Sequence, residues 1–236
     1  MWKNITFEQC LSHINLRVAG EPKSGSAANP SITISRMCGA GGRTVASKLV
    51  EYLQPRTPAG RCWTIFDKKL IEKVLEDHHL SKRIAAFLPE DHKSVLAEMI
   101  DNIRGLHPPT ATLVKQCVET IWNLASDGNV ILVGRAANVI TANLENVYHV
   151  RLVGSLENRI ARVEEVYELG RNDARKFIEV QDTAKRRYME EYFGREIDDP
   201  MLYHLVINTD KISYEQAAQM IGDAVINRFK LTAARV

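Results

Sequence analysis

The chain has 236 residues, 45% apolar and 25% charged, the range of an ordinary soluble globular protein. That length accommodates one well-packed α/β domain or two small ones. A formal charge of +2 is too small to argue for nucleic acid or an acidic membrane surface as a partner.

Residues 5–18 carry Ile5, Phe7, Cys10, Leu11 and Ile14 at helical spacing, and Gly20–Ser26 reads as a flexible linker. The start lacks the apolar core of a signal peptide, and no apolar run approaches the roughly 20 residues needed to cross a bilayer. Residues 1–30 are therefore expected to be an appendage to a single domain, 31–236. The four cysteines, Cys10, Cys38, Cys62 and Cys117, stand far apart without a C-x-x-C pair, which argues for reduced thiols in the cytoplasm. The seven histidines are scattered, and no metal site built from side chains alone is expected.

The segment Ser31–Leu53 organises the domain. Ile32-Thr33-Ile34 alternates as a short buried strand does, and Thr44, Val45, Ala46, Leu49, Val50 and Leu53 recur at helical spacing. Between them lies Arg36-Met37-Cys38-Gly39-Ala40-Gly41-Gly42. Residues without Cβ let successive N–H groups turn inward, and a helix N-terminus adds partial positive charge, so a phosphate is the expected guest. A Cβ at Gly41 is expected to stand where that phosphate approaches. A βα turn that needs glycine only for positive φ would look similar.

Further along, Cys62–Phe66 is expected to be a strand ended by Asp67, which can cap a helix over Lys68–His78. Thr110–Ala125 is an amphipathic helix stopped by Asp127-Gly128-Asn129, and Val130–Val133 is a buried strand with Gly134-Arg135 at its carboxyl end. A strand at Val147–Val153, a helix begun by Ser155, a strand at Leu202–Ile207 and a helix at Tyr214–Phe229 complete the pattern. Strands alternating with helices argue a parallel sheet covered on both faces, with ligands at the strands' carboxyl ends. Positive charges crowd from Arg159 to Arg195, and two helices meeting at Leu169–Asn172 would form a basic lid. Arg175, Asp182 and Arg186 would share one helix face.

These blocks carry a resemblance. ITISRMCGAGG at 32–42, WTIFDKKLI at 63–71, GNVILVGRAANVI at 128–140 and DPMLYHLVINTDKIS at 199–213 occur in the order of the cytidylate-kinase-like family, relatives of the P-loop nucleoside monophosphate kinases. The resemblance implies a P-loop kinase sheet flanked by helices, with a helical acceptor-binding region and a basic helical lid. It implies an ATP- and Mg²⁺-dependent phosphotransferase acting on a nucleoside monophosphate or a similar small molecule. Cys38, Gly39, Ala40, Gly41, Gly42, Arg43 and Thr44 would hold ATP phosphates. Asp67 and Arg135 would contact the acceptor, and Asp182 with the cations after it would belong to the lid.

The departures are equally specific. In G-x-x-x-x-G-K, Gly42 stands at the lysine position and Arg36 at the first glycine. Ala136 stands where cytidylate kinases carry an aspartate, and Lys185 where the lid is expected to have an arginine. Arg36, Arg43, Arg162 and Arg186 are the candidate substitutes for the missing lysine. Arg36 is preferred to Arg43, which can instead face solvent or pair with Glu51. The catalytic set is thus Arg36, Arg162, Asp182 and Arg186. Two other readings use the same residues. A nucleotide-binding regulatory module would hold the ligand without turnover. A dinucleotide-binding oxidoreductase would use Gly39-x-Gly41 and Asp67, but Thr44 replaces its third glycine.

Overall fold

Ser31–Arg36 is a β-strand because its residues alternate, and the pleat sends Ile32 and Ile34 to one face and Thr33 and Ser35 to the other. The computed structural model describes residues 29–57, 62–67 and 108–231. Elements are numbered in chain order over those residues. After β1 (Ser31–Arg36) come α1 (Gly42–Leu53), β2 (Thr64–Asp67), α2 (Pro108–Asp127), β3 (Val130–Val133), the short α3 (Ala137–Ile140) and β4 (Val147–Val153). Then follow α4 (Leu156–Tyr167), α5 (Arg171–Phe193), β5 (Leu205–Asn208) and α6 (Tyr214–Phe229). The expected appendage 1–30, save its last two residues, the helix 68–78 and most of the helical acceptor region lie outside the described residues.

All strands pair in parallel in the order β2-β3-β1-β4-β5. The chain reaches one edge with β2, returns to β3 beside β1, and then crosses to β4 on the other side of β1. The carboxyl end of β1 is therefore where a ligand crevice forms in such a sheet. One face packs on α1 and α6, where Val45, Leu49, Ile221 and Val225 meet Ile32, Ile34, Val150 and Leu152. The other packs on α2, where Val118, Ile121, Trp122 and Ala125 meet Phe66, Val130 and Leu132. Helices α4 and α5 form a hairpin with its own small core of Ile160, Val163, Ala174 and Ile178, and partly buried Cys38 packs against it.

Two strand boundaries differ from expectation. β2 begins at Thr64, whose N–H donates to Asn129 O at 3.0 Å, and it includes Asp67. The last strand begins at Leu205, not Leu202. The Asp199 side chain caps Met201 N–H, and Pro200 enters a 3-10 turn, Pro200–Leu202. Such a capped turn competes locally with extension. Among the described residues no helix is long and apolar enough to cross a membrane.

The sheet face under α2 also buries polar groups. His149 shares a hydrogen bond of 2.9 Å between its Nδ1 and Thr33 Oγ1, and its backbone N–H donates to His204 Nδ1 at 2.9 Å. Burial first, and then the nearby His204 and Arg228, push the His149 pKa down from 6.5 to about 4. The unfolded chain therefore takes up this proton more readily than the folded one. Stability from His149 is present above pH 6.5 and is lost as pH falls towards 4, by about 3 kcal/mol. Urea unfolding at pH 7 and pH 4 should show His149→Gln losing less stability on acidification than wild type does. Equal losses would reject the assignment.

Candidate active site

The loop between β1 and α1 stays close to the sheet through Met37 N–H, which donates to Leu152 O at 3.1 Å. Ala40 N–H closes a tight turn onto Met37 O at 3.2 Å, with Gly39 at φ +83° and Gly41 at φ +79°. L-residues with a side chain rarely adopt those angles. The glycines also admit close neighbours. A Cβ on Gly39 would lie 2.6 Å from Arg159 O, and one on Gly41 would lie 2.3 Å from the Tyr214 ring. The structure thus gives two reasons for glycine at 41, the backbone angle and the Tyr214 ring, where the sequence pointed to the approach of a phosphate.

Gly41 O accepts from Val45 N–H at 2.9 Å, which starts α1. The N–H groups of Gly41, Gly42, Arg43 and Thr44 have no acceptor among the described residues. Such first-turn donors suit an anion.

The α4–α5 hairpin closes on this loop. Asp182 Oδ1 accepts from Cys38 N–H at 2.7 Å and from Lys185 Nζ at 3.0 Å, while its Oδ2 accepts from Arg159 Nη1 at 2.6 Å. Arg159 also donates to Cys38 O at 3.1 Å and to Gly154 O at 3.0 Å. Arg162 donates to Thr44 Oγ1 at 3.2 Å and to Glu165 at 2.8 Å, and stands 5.5 Å from the Tyr214 ring centre. Burial depresses the Lys185 pKa, with the Arg36 charge adding to it and Asp182 opposing it. Burial likewise pushes the Cys38 thiol up.

Arg43 pairs with Asp67 at the end of β2, not with Glu51. Asp67 ends its strand beside the loop, so this contact is available once the sheet forms. Arg186 is exposed on α5, and no ion pair ties it to the loop among the described residues. Arg175, expected on the same face, instead faces Glu157 at 3.6 Å. The α5 cation that reaches the loop is Lys185, and Arg159 is the α4 cation that sequence reasoning left out of the set. A signal for Lys185 was present: Ala174, Ile178, Asp182, Lys185 and Met189 follow one another at spacings of four and three, so they share the inward stripe.

Gly134, Arg135 and Ala136, just past β3, all have positive φ, at 88°, 57° and 54°. For the two non-glycine residues this costs on the order of 1–3 kcal/mol each, and such strain is concentrated at functional positions. Arg135 stands 6.0 Å from the Tyr188 ring centre, and burial raises the Tyr188 pKa. Among the described residues no group of three or more His, Cys, Asp or Glu gathers to hold a metal.

A central β1, a glycine loop opening α1 and a basic helical hairpin over that loop define the class: an α/β protein of the P-loop kinase type. The chain belongs to the cytidylate kinase-like family, whose model matches residues 31–211. It is 30% identical over 101 residues to a cytidylate kinase from Staphylothermus marinus, a match that covers 43% of this chain and 56% of that relative. The chain thus spans little more than half of that relative's length. A solved structure of an uncharacterized protein from Eubacterium ventriosum has a TM-score of 0.64 at 22% identity, covering 84% of this chain and 99% of that one. At that identity the likeness is one of fold.

Proposed function

We propose that this chain is an ATP-dependent phosphotransferase whose acceptor is a nucleoside monophosphate or a similarly small phosphorylated molecule. The observation that carries the reading is the juxtaposition at the end of β1. The open N–H groups of the glycine loop lie beside the stem of Arg36, whose guanidinium, against the turn after β3, no hydrogen bond or ion pair engages among the described residues. Phosphoryl transfer asks mainly for positioning and for neutralisation of charge on the moving group, and this arrangement offers both.

In this reading the backbone of Cys38–Thr44 holds the ATP phosphates. Arg36 and Arg162 neutralise them, and Asp182 sets the lid against the loop. Arg186 stands at the rim, where only movement of the hairpin could bring it in. Asp67 and Arg135, at the ends of β2 and β3, face the acceptor side. Mg²⁺ would arrive with the nucleotide. The hard oxygen donors present, Thr44 Oγ1 in the first turn of α1 and the Asp67 carboxylate, suit such an ion, with phosphate oxygens and water completing its shell.

ADP formation should be measured with purified protein, ATP, Mg²⁺ and a panel of monophosphates. The expected result is ADP release that depends on one acceptor class. Binding of ATP without turnover for any acceptor would favour a regulatory nucleotide-binding module instead.

Arg135→Ala should raise the acceptor KM at least tenfold, about 1.4 kcal/mol, and leave ATP affinity near wild type. Loss of ATP affinity with an unchanged acceptor KM would place Arg135 on the other side of the reaction.

A further inference from the structure

The residue that should be lysine in the loop is Gly42, and the residue that should be its first glycine is Arg36. We propose that these two positions have exchanged roles: Arg36 is the fixed cation for the terminal phosphate of a bound triphosphate, and Gly42 is glycine because the Arg36 side chain occupies the space beside it. This rests on the reading of the loop as a triphosphate site.

The path of the arginine is marked by two glycines. A Cβ on Gly42 would lie 2.9 Å from Arg36 Cγ and 3.2 Å from Cδ. A Cβ on Gly134 would lie 2.1 Å from Arg36 Nη1 and 2.9 Å from Cζ. The aliphatic stem therefore runs along the first residue of α1, and the guanidinium rests on the backbone just past β3. Gly42 has a helical backbone that any L-residue adopts, so its conformation does not call for glycine. Room for Arg36 does. A lysine at 42 and an arginine at 36 exclude each other, and one cation serves the site.

The carboxylates within electrostatic reach of Arg36 are already taken. Asp67 is paired with Arg43, and Asp182 with Arg159 and Lys185. Arg151, the buried arginine of the sheet end, has both Ser35 Oγ at 2.8 Å and Asp198 as partners. Arg36 differs from all of these. Burial depresses its pKa, and its five N–H donors meet no acceptor among the described residues. Arg36 is only partly buried, so its unpaired guanidinium is open to the oxygens of a ligand. Its stem passes the first residue of α1, where the open N–H groups are, and its guanidinium, at the turn after β3, can bind phosphate oxygens in pairs. The same position brings it to the turn that carries Arg135, so one side chain connects the donor loop with the acceptor strand.

The test is an exchange of residues, read by calorimetric binding of ATP, AMP and inorganic tripolyphosphate. Variants are Arg36→Met, Arg36→Gly, Gly42→Lys and the double variant Arg36→Gly/Gly42→Lys, each checked for folding by thermal denaturation. Arg36→Met should weaken ATP and tripolyphosphate at least tenfold while changing AMP less than threefold. Gly42→Lys alone should also bind more weakly, because the two cations collide. The double variant should bind tripolyphosphate at least tenfold more tightly than Arg36→Gly, a rescue that a merely structural arginine would not show. Unchanged tripolyphosphate affinity in folded Arg36→Met, or no rescue in a folded double variant, would overturn the proposal. Wild type that binds tripolyphosphate but not ATP would reject ATP as the donor, while the same variants still decide the role of Arg36. Wild type that binds neither would reject both.

Discussion

Gly41→Val is expected to lower stability by about 4 kcal/mol, which for a domain of this size is a fall of roughly 10 °C in melting temperature. Two separate costs combine. Gly41 has φ +79°, a conformation that a β-branched residue strongly disfavours, and the new Cβ would lie 2.3 Å from Tyr214 Cε1. Tyr214 opens α6, is half-buried and has the Arg162 guanidinium nearby, so its ring cannot withdraw without disturbing the hairpin contact. Adding Tyr214→Ala should recover the steric part and leave the backbone part. A single variant that melts at the wild-type temperature would show that the ring moves freely and that the loop tolerates the angle. The milder Gly41→Ala, where folded, tests binding: ATP affinity should fall at least tenfold, and an unchanged affinity would remove the loop from the site.

Asp182→Ala is expected to reduce turnover at least a hundredfold, roughly 2.7 kcal/mol of barrier, and to destabilise the protein by about 3 kcal/mol. One carboxylate ties the Cys38 N–H, Arg159 and Lys185 together, and the side chains of Asp182 and Arg159 are only 13% and 12% exposed. Removing it leaves two cations facing each other at the loop and frees the hairpin, whose own core is four small-to-medium apolar side chains. Asp182→Asn keeps an acceptor for Arg159 and should fall between. Steady-state rates with thermal melts distinguish the outcomes. A wild-type rate in folded Asp182→Ala would show that the latch plays no part in turnover.

Much of the frame was legible from local patterns. Tyr214–Phe229, Val130–Val133 and Val147–Val153 have the bounds that periodicity and apolar runs indicate. Ser155 and Ser213 act as N-caps, the latter in a full capping box with Gln216. The start of β5 was not legible because Leu202 and Tyr203 look strand-like, whereas the Asp199 cap and Pro200 hold a turn there. The partner of Arg43 was not legible either: eight residues separate it from Glu51, but the sheet brings in Asp67, 24 residues away.

The sequence by itself determined that a strand, a glycine loop and a helix follow one another, because alternation, helical spacing and tolerance of positive φ are properties of the backbone within a few residues. It also determined that the loop lacks its lysine. Only the tertiary structure decided which cations face that loop. Asp182 and Cys38 are 144 residues apart, and their hydrogen bond exists because the hairpin folds back over β1. Along α5 each residue turns by about 100°, so the choice between Lys185 and Arg186 depends on which stripe is buried. Packing of Ala174, Ile178 and Met189 turns Lys185 inward and leaves Arg186 exposed. The volume beside Gly42 and Gly134 that the Arg36 side chain fills likewise exists only in three dimensions. There it accounts for the glycine at 42, whose Cβ would meet the Arg36 stem at 2.9 Å.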